Sequence, residues 1–259
     1  MKISIIMPAF NEGPRIYDNI AETLQTMADL NLHCELVVVD DGSVDGTYKE
    51  ACRAASRFPN VRAVRYTNNG GKGNALKYGF RYVTGDLVLF LDADLDIHPR
   101  QVKTFLEIME KNEADVVIGS KRHPLSQIDY PMQRKVLSTA YSILIKGLFD
   151  LSVRDTQTGI KLFKREVLDR VFPKVLVKRY AFDLELLVNI RHKGYRIVEA
   201  PIILNFQRKF GRVGMRDIMP IAIDTAAIFY RLKIIKYYDE PDGYERTNCI
   251  DCSPAESAE

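Results

Sequence analysis

Few cysteines, no long apolar run and little net charge mark this sequence, and each absence excludes a class of protein. The 259 residues include four cysteines, too few for a disulfide framework, so we expect a reducing compartment. No stretch reaches the roughly 18–20 apolar residues of a membrane span. The nearest, residues 218–235, is interrupted by Asp224, Arg231 and Lys233. A net charge of +3 is too small to indicate nucleic-acid binding.

The ends of the sequence set the expected domain boundaries. The N-terminal apolar run stops at Pro8, before it reaches the length of a signal peptide, so no leader is expected. Residues 237–259 are polar, and we predict that they form a disordered tail after one folded domain over residues 1–236. Cys249 and Cys252 in that tail have the spacing of half a zinc site, but no second pair lies near them.

The first half of the sequence alternates between strand and helix patterns. Short apolar runs predict strands at 3–7, 36–39, 61–66, 87–91 and 116–118, and amphipathic segments between them predict helices. Asn11 and Asp45 are the expected helix caps. Apolar strands joined by such helices indicate an α/β fold with a mostly parallel sheet covered on both faces.

The second half is less regular. Helical patterns cover residues 131–148, 182–193 and 215–231, and an extended segment is expected at 196–206. The last helix and the residues that follow it, 215–235, combine apolar bulk with basic side chains that include Arg231 and Lys233. That pattern suits either an interfacial membrane helix or a helix packed on the core.

The predicted strands all end in polar residues. Because ligands of parallel sheets bind beyond the carboxyl ends of the strands, we expect these residues to share one rim. They are residues 8–12, 40–43, 68–73, 92–96 and 120–122.

Asp92-Ala93-Asp94 is the strongest chemical signal on that rim. Two carboxylates at one strand end can share a hard divalent cation, which in turn binds diphosphate oxygens. Asp96 lies two residues further on and offers a third oxygen ligand. The alternative is a turn with three solvated acids. We favour the metal site because an apolar strand delivers the carboxylates to the rim.

Two further motifs on the rim have open interpretations. Of Asp40 and Asp41, we expect one to accept hydrogen bonds from a nucleoside and the other to cap the following turn. The glycine-rich turn over residues 68–73 is either a tight connection or a phosphate contact.

These motifs, in this order and at this spacing, resemble glycosyltransferase family 2. The match continues through residues 119–122, 155–159 and 182–185 and covers roughly residues 1–230. It is closest in pattern to the polyprenyl-phosphate hexose synthases, the dolichyl-phosphate mannose and glucose synthases. The resemblance implies the GT-A fold, a Rossmann-like three-layer αβα arrangement, and Mg²⁺ or Mn²⁺ as cofactor.

The resemblance also implies roles for individual residues. The nucleotide-sugar would contact Pro8, Phe10, Glu12, Asp41, Asp92, Ala93, Asp94 and Lys121. The metal would be held by Asp92, Asp94 and Asp96, the last standing where such synthases often have glutamine. Phosphate groups of the acceptor or donor would be bound by Arg122, Arg134, Ser138 and Arg208.

The catalytic candidates are Asp94, Asp155 and Gln157. Asp155 would orient or activate the acceptor, unless it is a structural loop cap, and Gln157 would touch the sugar or support the loop. An acceptor phosphate is already ionised near neutral pH, so no strong general base is needed and positioning dominates.

The expected function is therefore inverting transfer of a hexose from GDP-mannose or UDP-glucose to dolichyl or polyprenyl phosphate. We expect no nucleic-acid partner and a peripheral location on the cytoplasmic face of a membrane. The alternatives are transfer to a soluble glycan or protein acceptor, and a non-catalytic subunit that binds nucleotide-sugar.

Overall fold

A seven-stranded sheet forms the centre of the computed structural model, which describes residues 1–127, 132–179, 181–204 and 215–239. For residues 132–140 and 215–218 the description is limited to the backbone. The strands are β1 (Ile3–Ala9), β2 (Cys34–Asp41), β3 (Val61–Tyr66), β4 (Leu87–Phe90), β5 (Val116–Ser120), β6 (Lys161–Lys164) and β7 (Ile197–Pro201).

The strand order is β3-β2-β1-β4-β6-β5-β7. All neighbours pair in parallel except β6, which runs antiparallel to both β4 and β5. The predicted mostly parallel sheet is therefore confirmed. Strand β1 lies between β2 and β4, with Ile6 opposite Val37 and Phe90, so the motifs after these three strands meet at one edge.

Helices cover both faces of the sheet. The helices are α1 (Ile16–Asp29), α2 (Thr47–Arg57), α3 (Lys72–Phe80), α4 (Val102–Lys111), α5 (Met132–Phe149), α6 (Arg165–Val171), α7 (Phe182–His192) and α8 (Met215–Phe229). One core contains the buried sides of α1, α2 and α4. The other contains those of α3, α5, α6 and α7 together with Ile228 of α8. The predicted three-layer arrangement follows from these two cores.

The structure corrects both expected helix caps, although Asp45 still bonds the first turn of its helix. Asn11 does not cap α1, because its backbone has φ = 55° and the N-cap position is taken by Arg15, four residues later. The Asn11 side chain instead accepts a hydrogen bond from Val44 N–H at 3.1 Å. Gly46 occupies the N-cap position of α2, and Asp45, one residue earlier, accepts a hydrogen bond from Thr47 N–H at 2.9 Å.

Two elements of the second half were not predicted. Strand β6 and helix α6 follow one another directly, and β6 reads Lys-Leu-Phe-Lys, too short and too polar at its ends for a strand pattern. The extended segment forms a strand over Ile197–Pro201 and an isolated bridge at Ile203.

Folded structure also continues past residue 236, because Tyr237–Asp239 forms a 3₁₀ turn and Tyr238 is buried. Residues 240–259 lie outside the described residues.

None of the helices over the described ranges is long and apolar enough to cross a bilayer. Helix α8 has two different faces. Ile228 packs in the core, whereas Met219 and Ile223 are exposed, as is Ile234 in the π-helical turn Tyr230–Ile234 that follows.

Close packing of α3 on the sheet gives the first testable prediction. A Cβ at Gly79 would lie 2.7 Å from Ile6 Cγ2 and 2.8 Å from Val39 Cγ2. Gly79→Ala should therefore lower the free energy of unfolding by about 1–3 kcal/mol, because the core must move to admit a methyl group. Urea denaturation followed by circular dichroism measures the change.

The matched control is Gly147→Ala in α5, where an added Cβ meets nothing within 4 Å. This substitution should raise the free energy of unfolding by up to about 1 kcal/mol through helix propensity alone. Equal effects of the two substitutions would contradict the packing that we describe.

Candidate active site

Three acidic side chains follow β4 in a short turn. Leu95 adopts φ = 52°, a left-handed conformation that is unusual for leucine, and its N–H donates to Asp92 O at 3.3 Å. Asp96 N–H donates to Asp94 Oδ1 at 3.3 Å. The turn therefore holds Asp92, Asp94 and Asp96 at the strand end, where the sequence placed them.

An ammonium group compensates one of these acids. Lys72 Nζ lies 2.5 Å from Asp92 Oδ1, and both side chains are partly exposed. Burial alone would raise the pKa of Asp92, but Lys72, with smaller contributions from Lys161 and Lys121, holds that pKa below its ordinary value. Asp92 is therefore ionised across the neutral range and paired with Lys72.

Asp94 has the opposite environment. Burial and the negative charges of Asp92, Asp96 and Glu12 raise the pKa of Asp94 to about 6. The side chain of Glu12 is itself buried on the loop after β1. Excess negative charge thus accumulates at Asp94, which is the condition that a cation relieves.

Asp41 organises the glycine-rich loop that carries Lys72. Its carboxylate accepts hydrogen bonds from Gly70 N–H at 2.7 Å, from Gly71 N–H at 3.0 Å and from the Tyr66 hydroxyl at 2.6 Å. Asn69 Nδ2 donates to it at 3.1 Å. The predicted nucleoside contact of Asp41 stays a prediction, and the observed contacts give this residue a structural task as well.

Asp40 takes the turn-capping role expected for one of the two acids. It accepts from Ser43 N–H at 3.1 Å and pairs with Arg65 Nε at 3.1 Å. The glycine-rich turn over residues 68–73 is a tight connection, which turns at Gly71 with φ = 88° and brings Lys72 to Asp92. Its phosphate contact stays a prediction.

The loop over residues 155–159 closes on Asp92 from another side. A Cβ at Gly159 would lie 2.0 Å from Asp92 Oδ2, so only glycine permits this approach. Asp155 accepts from Lys121 N–H at 3.1 Å, from Gln157 N–H at 3.1 Å and from the Thr158 hydroxyl at 2.7 Å. These contacts are those of a structural loop cap, which was the alternative interpretation of Asp155. The catalytic role of Asp155 stays a prediction.

A second ion pair, which unlike the first is buried, lies behind this loop. Lys161 Nζ, 1% exposed, lies 2.8 Å from Asp183 Oδ1 and donates to Thr158 O at 2.5 Å. Burial lowers the pKa of Lys161, opposed by Asp183. Sequence reasoning missed Lys72 and Lys161. The first stood in the quoted glycine-rich motif, whereas nothing in the sequence marks the second as buried.

The structure describes some of the remaining predicted site residues and not others. Pro8 lies in β1, Phe10 is exposed on the loop after it, and Ala93 is buried between the two acids. Lys121 and Arg122 follow β5, and Gln157 is exposed on its loop. Arg208 lies outside the described residues, as do the side chains of Arg134 and Ser138 in α5.

The expected three-carboxylate metal site is not preassembled. In the part of the chain that the structure describes, no three His, Cys, Asp or Glu side chains converge as a ligand set, so Asp92, Asp94 and Asp96 are not a ready cage. The donor chemistry nevertheless fits a hard divalent cation. Magnesium in particular is commonly bound by one or two carboxylates together with substrate phosphates.

The raised pKa of Asp94 gives the second prediction. Because the folded protein disfavours the ionised form, Asp94 contributes stability below pH 4 that is lost as the pH rises through about 6. In the presence of a chelator, Asp94→Asn should therefore be more stable than the wild type at pH 8, by about 1–2 kcal/mol, and equal to it at pH 4. Thermal unfolding at several pH values measures this.

Asp115 supplies the control of opposite sign. Lys164, 2.7 Å away, helps to hold the pKa of Asp115 below its ordinary value although burial opposes this. Asp115→Asn should lower stability at pH 8. A loss of stability for Asp94→Asn at pH 8 would contradict the crowding of acids at β4.

Comparison with known proteins agrees with this geometry. The sequence profile of glycosyl transferase family 2 matches residues 4–172. The chain is 32% identical over 248 residues to dolichyl-phosphate beta-glucosyltransferase ALG5D of Trichomonas vaginalis, covering 90% of this chain and 75% of that protein.

Two solved structures share the fold. Mannosyl-3-phosphoglycerate synthase from Rubrobacter xylanophilus is 20% identical with a TM-score of 0.67, over 93% of this chain and 76% of that one. Glucosyl-3-phosphoglycerate synthase from Mycobacterium tuberculosis, crystallised with Mn²⁺, UDP and phosphoglyceric acid, is 21% identical with a TM-score of 0.67, over 93% and 80%. The likeness confirms the predicted GT-A architecture. The chain belongs to glycosyl transferase family 2.

Proposed function

We propose that this chain transfers glucose from UDP-glucose to a polyprenyl phosphate such as dolichyl phosphate, with inversion at the anomeric carbon. The observation that carries the proposal is the similarity to a dolichyl-phosphate beta-glucosyltransferase over 90% of the chain. It extends well past residue 172, where the family match ends, and so includes the half expected to bind the acceptor. The name of that relative favours glucose over the mannose alternative.

The donor fits at the edge where β1, β2 and β4 end. The nucleoside would lie against Pro8, Phe10, Glu12 and Asp41, and the diphosphate would lie near Asp92 and Asp94. Uridine is favoured because the Mycobacterium tuberculosis synthase of the same fold binds UDP. Lys72, 2.5 Å from Asp92, would donate a hydrogen bond to a diphosphate oxygen once a donor enters.

A divalent cation, Mg²⁺ or Mn²⁺, would be held by Asp94 with Asp92, and Asp96 lies next in the turn. Bound there, it would neutralise the charge of the departing nucleoside diphosphate. The Mn²⁺ in the Mycobacterium tuberculosis structure supports this assignment. The crowding that raises the pKa of Asp94 to about 6 supports it from within this chain.

Positioning of two anions is the main task of the protein in this reaction. The acceptor phosphate attacks the anomeric carbon from behind the leaving group, so both must be held in line. Lys121 and Arg122 follow β5 on the same rim and would bind phosphate, together with Arg134, Ser138 and Arg208. Asp155 fixes the loop that touches Asp92 and thereby orients the acceptor.

The acceptor lipid requires contact with a membrane surface. Exposed apolar side chains lie on α5, at Ile143 and Leu144, and on α8 and the turn after it. The two helices pack together, with the Phe149 and Phe229 rings 6.3 Å apart. We propose that this exposed apolar surface docks on the cytoplasmic face of a bilayer. Arg231 does not belong to it, because its side chain turns inward to Glu185.

A donor and acceptor panel tests the proposed reaction. The purified protein receives UDP-glucose, GDP-mannose or UDP-N-acetylglucosamine with Mn²⁺ or Mg²⁺, and either polyprenyl phosphate or 3-phosphoglycerate. We expect product only from UDP-glucose with polyprenyl phosphate, measured as radiolabel in the organic phase. Asp94→Ala should lower kcat by at least about 10²-fold.

Transfer to 3-phosphoglycerate alone would replace the lipid acceptor with a soluble one. Turnover by GDP-mannose alone would restore the mannose alternative. Unchanged metal-dependent turnover in Asp94→Ala would refute the metal assignment.

Vesicle binding tests the docking surface. In a co-sedimentation assay, vesicles of phosphatidylcholine and phosphatidylglycerol should bind the wild type. The double substitution Ile223→Glu with Ile234→Glu should weaken binding at least about tenfold, because two exposed apolar side chains no longer enter the interface. Val44→Glu, a change of an exposed apolar residue on the donor rim, is the control and should bind as the wild type does. Equal binding by all three proteins would remove this surface from the proposal.

A further inference from the structure

Residues 230–239, here called the return segment, run from α8 back to α7. The segment consists of the π-helical turn Tyr230–Ile234 and the 3₁₀ turn Tyr237–Asp239. Arg231 Nη2 lies 2.8 Å from Glu185 Oε1, and the Tyr238 hydroxyl donates to the same oxygen at 2.6 Å. Arg231 Nε also donates to the Tyr238 oxygen at 3.2 Å. The return segment is thus tied to one carboxylate of α7 by the Arg231 ion pair and by the charge-assisted hydrogen bond from Tyr238.

This carboxylate is deeply buried. Glu185 is 0% exposed and Tyr238 is 1% exposed. Burial, followed by the charge of Glu185, raises the pKa of the Tyr238 hydroxyl, which therefore stays protonated and donates. A buried ion pair of this kind is weak evidence of stabilisation, since an apolar cluster of the same volume stabilises a fold as well. What the polar network adds is direction, because each hydrogen bond fixes the position of a partner.

The other oxygen of Glu185 holds a second segment. Oε2 accepts hydrogen bonds from Leu176 N–H at 2.8 Å and from Val177 N–H at 2.6 Å. These residues precede α7 and have no regular secondary structure. Glu185 therefore fixes the backbone of residues 176–177 on one side and the return segment on the other.

Residues 175–179 in turn form a wall against the glycine-rich loop and α3. The carbonyl of Lys178 accepts from Gly73 N–H at 3.0 Å and from Asn74 N–H at 3.3 Å. The carbonyl of Val175 accepts from Lys77 Nζ at 2.6 Å. A Cβ on Gly71 would lie 2.9 Å from the Lys178 carbonyl oxygen, so the loop is in direct contact with this wall.

We propose that Glu185, Arg231 and Tyr238 form a buried strut that positions the glycine-rich loop, and with it Lys72, for the nucleotide-sugar. All three are positioning residues, because they act through residues 175–179 and not on the donor itself. The return segment, distant in sequence from every donor-binding motif, thereby completes the donor site. The inference rests on the proposed function only in naming the ligand that the loop serves.

Amide hydrogen exchange and UDP binding test the strut. Tyr238→Phe keeps the ring and removes the hydroxyl, and Arg231→Met keeps the length of the side chain and removes the charge. Both should speed exchange at Gly73 and Asn74 while the amides of β1 and β2 keep their protection. Both should also weaken UDP binding in the presence of Mn²⁺ by about 3- to 10-fold, measured by titration calorimetry. Arg231→Lys should recover part of the loss.

Matched controls separate the strut from general destabilisation. Tyr237→Phe changes the neighbouring tyrosine, whose ring lies 4.9 Å from Lys174 Nζ. Arg191→Met removes an exposed ion pair of α7, at 3.5 Å from Asp150. Both controls should leave loop exchange and UDP affinity unchanged.

Unchanged exchange at Gly73 and Asn74 in Tyr238→Phe would overturn the strut, and so would equal acceleration in the control Tyr237→Phe. The exchange measurement requires no ligand. Failure of the wild type to bind UDP would therefore count against the proposed donor, while the exchange result still decides on the strut.

Discussion

The pairing of Lys72 with Asp92 is the interaction on which the candidate site depends. Asp92, Asp94 and Asp96 follow one strand within five residues, and without a counter-charge their repulsion would open the turn. The Lys72 ion pair, at 2.5 Å, neutralises Asp92, whereas burial and the neighbouring acids raise the pKa of Asp94 to about 6. The negative charge of Asp92 is therefore neutralised, whereas that of Asp94 is crowded by other negative charges. Such an imbalance suits a site that takes up a cation together with an anionic ligand.

Close backbone approach makes this pairing possible. Gly159 lies against the Asp92 carboxylate, and Gly73 lies against the Phe182 ring at distances that no Cβ permits. Gly71 adds the positive φ that turns the loop into α3. Two segments from separate parts of the sequence therefore meet at Asp92, one through the Lys72 ammonium and the other through Gly159. A third segment packs the Phe182 ring on Gly73, next to Lys72. A methyl group at any of these contacts would separate the charges.

The second half of the chain connects the glycine-rich loop to an exposed apolar surface. Helix α8 contributes Ile228 to the core and exposes Ile223, so it belongs to both regions. Arg231 looked in the sequence like a surface cation of this helix, but it pairs with buried Glu185. Through Glu185 the end of α8 is in contact with the wall of the glycine-rich loop. The exposed apolar surface and the glycine-rich loop are thus parts of one packed unit.

The sequence by itself determined the α/β class, the parallel strands and the position of the acids at the ends of β2 and β4. Periodicity is a local property, and parallel strands bring their carboxyl ends to one edge wherever they lie in the sheet. Only the tertiary structure decided what those acids touch. In that structure Asp41 accepts hydrogen bonds from the glycine-rich loop, Asp155 accepts them within its own loop, and the buried Lys161 pairs with Asp183. These partners are 22 or more residues apart in two of the three cases, and the third depends on a loop conformation. A charge buried on a four-residue strand has no local signature, because its burial and its partner are set by packing between distant segments.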